Sequence, residues 1–232
     1  MSGIQTSFQD LVHLFFPHVC TGCGSDILND KQLLCLHCLS ELPETNFFYL
    51  PHNPVEKIFY GRIPVRSAAA GYFFTKNSLI QTLLHRLKYK GNKEIGFYFG
   101  KLLSKFLMNN ERFSGVDALV PLPLNPRREK KRGYNQSVVI CEGITSAWKK
   151  PVLNNAVIRK VYTETQTQRG RITRWENMDG VFAVSQPEAL ENKHIMLVDD
   201  LVTTGASLEA CGSELLKVRG TTLSIATLGY TL

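Results

Sequence analysis

The sequence predicts an α/β protein: a mostly parallel sheet with flanking helices, preceded by a small cysteine module. Three observations predict it. Short apolar runs alternate with amphipathic helical stretches from residue 66 onward, the pattern of strand–helix–strand units. One of those runs ends at two aspartates and a Thr-Thr-Gly turn, and open parallel sheets bind ligands beyond the carboxyl ends of their strands. Four cysteines near the start fall into two C-x2-C pairs.

The elements follow in chain order. Cys20, Cys23, Cys35 and Cys38 form C-x2-C, eleven residues, C-x2-C. Two residues between thiolates let both sulfurs of a tight turn face one ion, and two such turns complete a tetrahedral site that suits zinc. Gly24 directly after Cys23 permits the positive φ such turns use. Iron–sulfur is the metal alternative. A pair of disulfides or buried free thiols are the metal-free alternatives. His18 and His37 stand beside the cysteines and offer a replacement ligand. A shell closed by four thiolates is structural rather than catalytic. Residues 39–64, with Pro43, Pro51, Pro54 and Pro64, read as a linker with short extended pieces such as Phe47–Leu50.

Beyond the linker, Arg66–Thr75 has the small and aromatic content of a strand. Ser78–Lys90 is an amphipathic helix with Leu79, Leu83 and Leu87 at spacing four, stopped by Gly91. Gly96–Met108 is a second helix, Asp117–Pro121 a short buried strand and Gly133–Trp148 a third helix. Val152–Ile158 and Gly180–Val184 are strands. Ile195–Val198 is an apolar run delivering Asp199 and Asp200 at its carboxyl end. Ala206–Val218 is a helix and Thr222–Leu228 the last strand. The domain expectation is a cysteine module and linker over 1–60 and the α/β domain over 61–232.

Charge divides along the same line. The chain has 232 residues, 27 basic and 20 acidic, for a net charge of +7. Residues 1–60 carry two lysines against six carboxylates, and residues 61–232 hold the remaining 25 basic and 14 acidic side chains. The larger part should attract phosphates, nucleic acid or an acidic partner, with plain solubility as the alternative. A hydrophobic content of 44% excludes a disordered or fibrous chain. No apolar run approaches membrane-spanning length, so no membrane insertion is expected. The first residues lack the basic segment of a secretory signal, so a cytoplasmic location is expected.

The segment Ile195–Ser207, IMLVDDLVTTGAS, carries the most chemistry. Backbone N–H groups at a helix start, with the hydroxyls of Thr203, Thr204 and Ser207, make a cradle for a phosphate dianion. Gly205, with Ala206 beside it, lies at the turn, and the glycine lets the backbone approach closely. Asp199 and Asp200 would repel phosphate, so they should face sugar hydroxyls and a divalent cation instead. Phosphate, diol and metal together describe a sugar phosphate. Neither the P-loop nor the dinucleotide-binding glycine pattern is present.

This segment resembles, position by position, the 5-phosphoribosyl-1-pyrophosphate (PRPP) motif of type I phosphoribosyltransferases. With VPLPLNPRREKKRGYNQS (Val120–Ser137), TETQTQRGRITRWENMDGVF (Thr163–Phe182), Leu87–Gly91 and the cysteine module, the chain is similar to the ComF/GntX family. The family's P-x-P and later R-G-[FY]-N-Q fall on Pro121, Pro123 and Arg132–Gln136. Its T-x2-Q with later Arg, Asn and Phe falls on Thr163, Gln166, Arg174, Asn177 and Phe182. Arg169 stands where the family carries an apolar residue.

The resemblance implies a type I phosphoribosyltransferase-like fold with PRPP and Mg²⁺ as ligands. It implies Thr203, Thr204, Gly205, Ala206 and Ser207 on the 5-phosphate and Asp199 and Asp200 on the ribose or Mg²⁺. It places pyrophosphate at Pro123 and Leu124, with Arg132, Arg174 and, less directly, Lys88 as its cations. Residues 170–177 are expected to close over the ligand. Three functions follow: transfer of phosphoribosyl to an unidentified acceptor, an accessory role in natural transformation with single-stranded DNA or DNA-uptake proteins as partners, or PRPP sensing without turnover. The basic run RREKKR, Arg127–Arg132, suits nucleic acid as well as a solvated loop.

Overall fold

A computed structural model describes residues 19–26, 28, 32–108, 110–160 and 180–231. Among them are six strands: β1 (Ser67–Phe74), β2 (Ala118–Pro121), β3 (Val157–Arg159), β4 (Phe182–Val184), β5 (His194–Val202) and β6 (Thr222–Thr231). Four of these form one parallel sheet in the order β1-β6-β5-β2, and β3 and β4 pair as an antiparallel ribbon. The central strand β5 sets Ile195 opposite Ala118 on one side and Leu223 on the other. It is buried from His194 to Val198, as a strand covered on both faces must be.

Both sheet edges are occupied. Val152 makes a parallel bridge to Leu119 on β2, and Glu44 an antiparallel one to Tyr72 on β1. Around the second bridge Thr45 N–H donates to Gly71 O (2.9 Å) and Phe73 N–H to Pro43 O (2.8 Å). Covered edges leave no template for pairing with another chain.

The described helices are α1 (Leu36–Ser40), α2 (Pro54–Phe59), α3 (Leu79–Tyr89), α4 (Lys93–Leu107), α5 (Pro126–Arg132), α6 (Gln136–Ala147) and α7 (Ala206–Leu216). In α3, Ser78 caps the first turn and Ile80, Leu83, Leu84 and Leu87 point inward. Helices α4 and α6 cross at two glycines. A Cβ on Gly100 would lie 2.1 Å from Ile140 O, and one on Gly143 2.1 Å from Phe97 O.

The architecture is the α/β sheet with flanking helices that the sequence predicts, and several boundaries move. The segment read as linker contains α2, capped by Asn53, whose side chain accepts from Val55 N (2.9 Å) and Glu56 N (3.2 Å). Phe47–Leu50 is not extended: it turns, burying Phe47 and Phe48. The basic run is helix α5, ended by Gly133 in the left-handed conformation (φ 80°), so α6 starts at Gln136. Val152–Ile158 divides into an isolated bridge and β3. Strand β5 continues to Val202, which puts both aspartates inside it rather than at its end.

Candidate functional site

Asp199 and Asp200 are adjacent on the central strand yet meet different helices. Asp199 Oδ1 accepts from Ser137 Oγ on α6 (3.0 Å) and from the Asp200 N–H (2.8 Å). Asp200, only 8% exposed, pairs with Lys88 Nζ from the end of α3 at 3.0 Å. Burial, and then the Asp200 carboxylate, push the Asp199 carboxyl up to about 7; the two hydrogen bonds and Lys88 offset only part of this. Two carboxylates packed together cannot both ionise cheaply without a cation between them.

Past Val202 the chain exposes Thr203 and Thr204 and turns at Gly205 (φ 73°) into α7. No side chain caps this helix. The first N–H groups of a helix need acceptors from outside it, and an anion serves. The back of the turn rests on α2: a Cβ on Gly205 would meet Ile58 Cγ2 at 2.5 Å and the Phe59 ring at 3.0 Å. Arg62 Nη1 ties the turn from the same side, donating to Thr204 O (3.2 Å) and pairing with Glu209 (3.3 Å). Gly205 is therefore required by packing and backbone conformation before any ligand is considered.

Two cavities border helix α5. One, of 580 Å³, is lined by Lys88, Tyr89, Lys90, Arg128, Lys131 and Arg132. Arg132 is held there by Gln136 Oε1 (2.7 Å) and by the Tyr89 ring, 5.3 Å from its guanidinium carbon. The other, of 440 Å³, lies between Pro123–Leu124 and β3, with Asn154, Asn155 and Arg159 on its wall. The structure thus brings Lys88 and Arg132 together on one cavity and Pro123 and Leu124 on the other. Arg174, with Thr163, Gln166, Arg169, Asn177 and the expected closing segment 170–177, lies outside the described residues.

Arg159 is a site residue that the motifs do not point to. It is half-buried over the Phe182 ring (5.2 Å). Burial first, and the nearby Arg128, lower its pKa, while Cys211 and Asp199 pull it back up. Its charge thus acts on Asp199 from β3. The available signal was a cation inside an otherwise apolar strand, V-I-R.

The cysteine sulfurs of Cys20, Cys23, Cys35 and Cys38 all lie within 4.8 Å of one another. Cys23 Sγ and Cys35 Sγ are 3.7 Å apart. A zinc–sulfur bond of about 2.3 Å gives a tetrahedron edge of about 3.8 Å, so the donors fit the ion. Cys35 N lies 3.3 Å from Cys20 Sγ and Cys38 N 3.5 Å from Cys35 Sγ, each N–H donating to sulfur. Burial works against a Cys20 thiolate, but the N–H groups of Cys35, Cys23 and Gly22 outweigh it and hold that thiol at about 6. Gly24 has the positive φ (79°) expected of the turn. A Cβ on Gly22 would sit 2.8 Å from Cys38 Sγ, so the first knuckle has room only for hydrogen at that position.

No protein-family model matches the chain. It is 29% identical over 217 residues to the DNA utilization protein YhgH of Escherichia coli O6:H1, covering 92% of this chain and 91% of that one. It is 27% identical over 216 residues to Competence protein F of Haemophilus influenzae, covering 88% and 93%. With Competence protein ComFC of Bacillus subtilis the identity is 30% over 140 residues, 58% of this chain and 52% of that one. Among solved structures, a glutamine PRPP amidotransferase from B. subtilis, complexed with ADP and GMP, is similar at TM-score 0.43 and 16% identity. That match covers 62% of this chain, which spans 30% of the amidotransferase. The competence and DNA-utilization proteins bear out the family resemblance drawn from the motifs.

Proposed function

We propose that this chain, similar over most of its length to competence and DNA-utilization proteins, binds PRPP with Mg²⁺ and serves the handling of DNA by the cell. The observation that carries the PRPP half is the β5–α7 turn. It joins an uncapped helix start, two exposed threonines and a buried acid pair on the central strand of a parallel sheet.

In this reading Thr203, Thr204, Gly205, Ala206 and Ser207 hold the 5-phosphate. Asp199 and Asp200 are hard oxygen donors suited to Mg²⁺ or ribose hydroxyls. Pyrophosphate lies over Pro123 and Leu124, with Arg159 added to Arg174 as balancing charge, while Arg132 and Lys88 line the neighbouring cavity. Mg²⁺ would supply further positive charge against the pyrophosphate oxygens. Asp200 is held by Lys88 in the ligand-free chain, so binding exchanges that ammonium for the ligand. The four cysteines hold a structural zinc. Reduced thiols at such spacing fit the cytoplasm, and no described helix is long and apolar enough to cross a membrane.

Calorimetry of PRPP–Mg²⁺ binding to the unaltered chain, Asp200→Ala and Thr203→Ala tests the site. The unaltered chain should bind, Asp200→Ala should lose at least tenfold, and Thr203→Ala should lose a smaller factor. Equal affinity in all three refutes the assignment. Gly205→Val is a poor probe, because its Cβ collides with Ile58 and Phe59 whether or not phosphate binds there. Pyrophosphate release from PRPP in fractionated cell extract separates turnover from binding alone.

A further inference from the structure

Helix α5 buries none of its seven residues. A helix that contributes nothing to the core has no packing reason for its sequence, and this one is PRREKKR. Cations in its last turn favour the helix dipole, but that accounts only for their position along the axis. It does not account for what they face. Arg128, Lys131 and Arg132 look across the 580 Å³ cavity at Lys88 and Lys90 from the end of α3. Lys90, Arg128 and Lys131 make no ion pair among the described residues. Five cations facing one another across a cleft repel and wait for a polyanion.

An aromatic ring stands among them. Tyr89 is 60% exposed, with His85 at 4.8 Å between ring centroids and the Arg132 guanidinium over it. A cationic cleft with an exposed ring is the recognition chemistry of single-stranded nucleic acid: charge tracks the backbone and the ring stacks a base. Pyrophosphate needs the cations and has no use for the ring. Duplex DNA offers the charge but keeps its bases stacked.

We propose that the cleft between Lys88–Gly91 and Arg128–Arg132 binds the backbone of a single-stranded nucleic acid, and that Lys88 couples it to the acid pair. Lys88 lines the cleft and also pairs with Asp200 at 3.0 Å. A strand in the cleft competes for that ammonium, freeing Asp200 for Mg²⁺ and ribose. Strand and PRPP–Mg²⁺ therefore favour each other, and by linkage the effect is equal in both directions. This rests on the DNA half of the function proposed above and locates it.

The test is fluorescence anisotropy of a labelled twelve-nucleotide oligothymidylate with the full chain and no PRPP. Binding is expected at low salt, with a log–log salt slope of about −0.7 per phosphate neutralised, about −3.5 if the five cations engage. Arg128→Glu with Lys131→Glu, and separately Tyr89→Ala, should each weaken it about tenfold or more. The double variant should keep its PRPP–Mg²⁺ affinity, since neither side chain belongs to that site. The oligonucleotide should tighten PRPP–Mg²⁺ binding to the unaltered chain several-fold and leave Lys88→Met unaffected. No binding at low salt, no effect of either surface variant, or equal binding of a duplex overturns the cleft. Oligonucleotide binding that leaves PRPP–Mg²⁺ affinity unchanged overturns the coupling. The anisotropy assay contains no PRPP, so its failure and the failure of the PRPP site are read separately.

Discussion

Asp199 is stabilised by its neighbours less than it is penalised by its surroundings. Burial and Asp200 raise its carboxyl from 3.8 to about 7, while in the unfolded chain it keeps the lower value. Between these limits the folded state binds more protons than the unfolded state, so stability falls as pH rises through the window. An asparagine never ionises and its Oδ1 can still accept from Ser137. Asp199→Asn should therefore melt higher than the unaltered chain near pH 8 without Mg²⁺, with the gap closing towards pH 5. Thermal melts across that range check it, and a gap independent of pH would show that Asp199 titrates normally. The acid pair itself was legible, because apolar strand, two acids and Thr-Thr-Gly are fixed chemistry in a fixed order. Its partners were not. Ser137, Lys88 and Arg159 come from three other elements, and no spacing along the chain says which of many hydroxyls and cations folds back onto β5.

Helices were legible where they bury an apolar stripe and missed where they do not. Leu79, Leu83 and Leu87 announced α3, whereas α5 buries nothing and α2 buries only Val55 and Phe59. Two of the missed helices, α2 and α5, begin with Asn-Pro, at Asn53-Pro54 and Asn125-Pro126. Asparagine caps the first turn and proline suits the first helical position, so the start signal was present and was read as a linker or a loop. Nothing local marks the α4–α6 crossing. Gly100 and Gly143 acquire their meaning only when the two helices are brought together. An added methyl at either position would press on backbone carbonyl oxygen, which cannot rotate away as a side chain can. Gly143→Ala should cost about 2 kcal/mol or more, despite alanine's better helix propensity. A denaturant midpoint equal to or above that of the unaltered chain would refute the close crossing.

At the scale of the whole molecule the question is how far the metal's influence reaches. The knuckles join the body through a few contacts: Arg86 Nη1 donates to Thr21 O (2.5 Å), and Leu34, Cys20 and Cys38 extend the apolar core. Residues 43–59 are held by other means. Thr45 and Pro43 pair with β1, and Asn53 Nδ2 donates to Ala68 O (2.8 Å). Glu56 takes an ion pair from Arg112, whose Nη1 also donates to Phe48 O (2.7 Å). None of these bonds uses a cysteine. Loss of zinc should therefore unfold the stretch up to about residue 42 and stop there, with α2 still backing the Gly205 turn. Structural zinc sites supply folding energy directly, and a segment built around four thiolates has little else to order it. Cys35→Ser should lose its zinc on metal analysis and show fast hydrogen exchange over residues 19–40. Exchange over residues 43–59 and β5 should be unchanged, and PRPP–Mg²⁺ affinity should stay within a few-fold. Protection lost from α2 or β5 would mean that the cysteine module and the sheet fold as one cooperative unit.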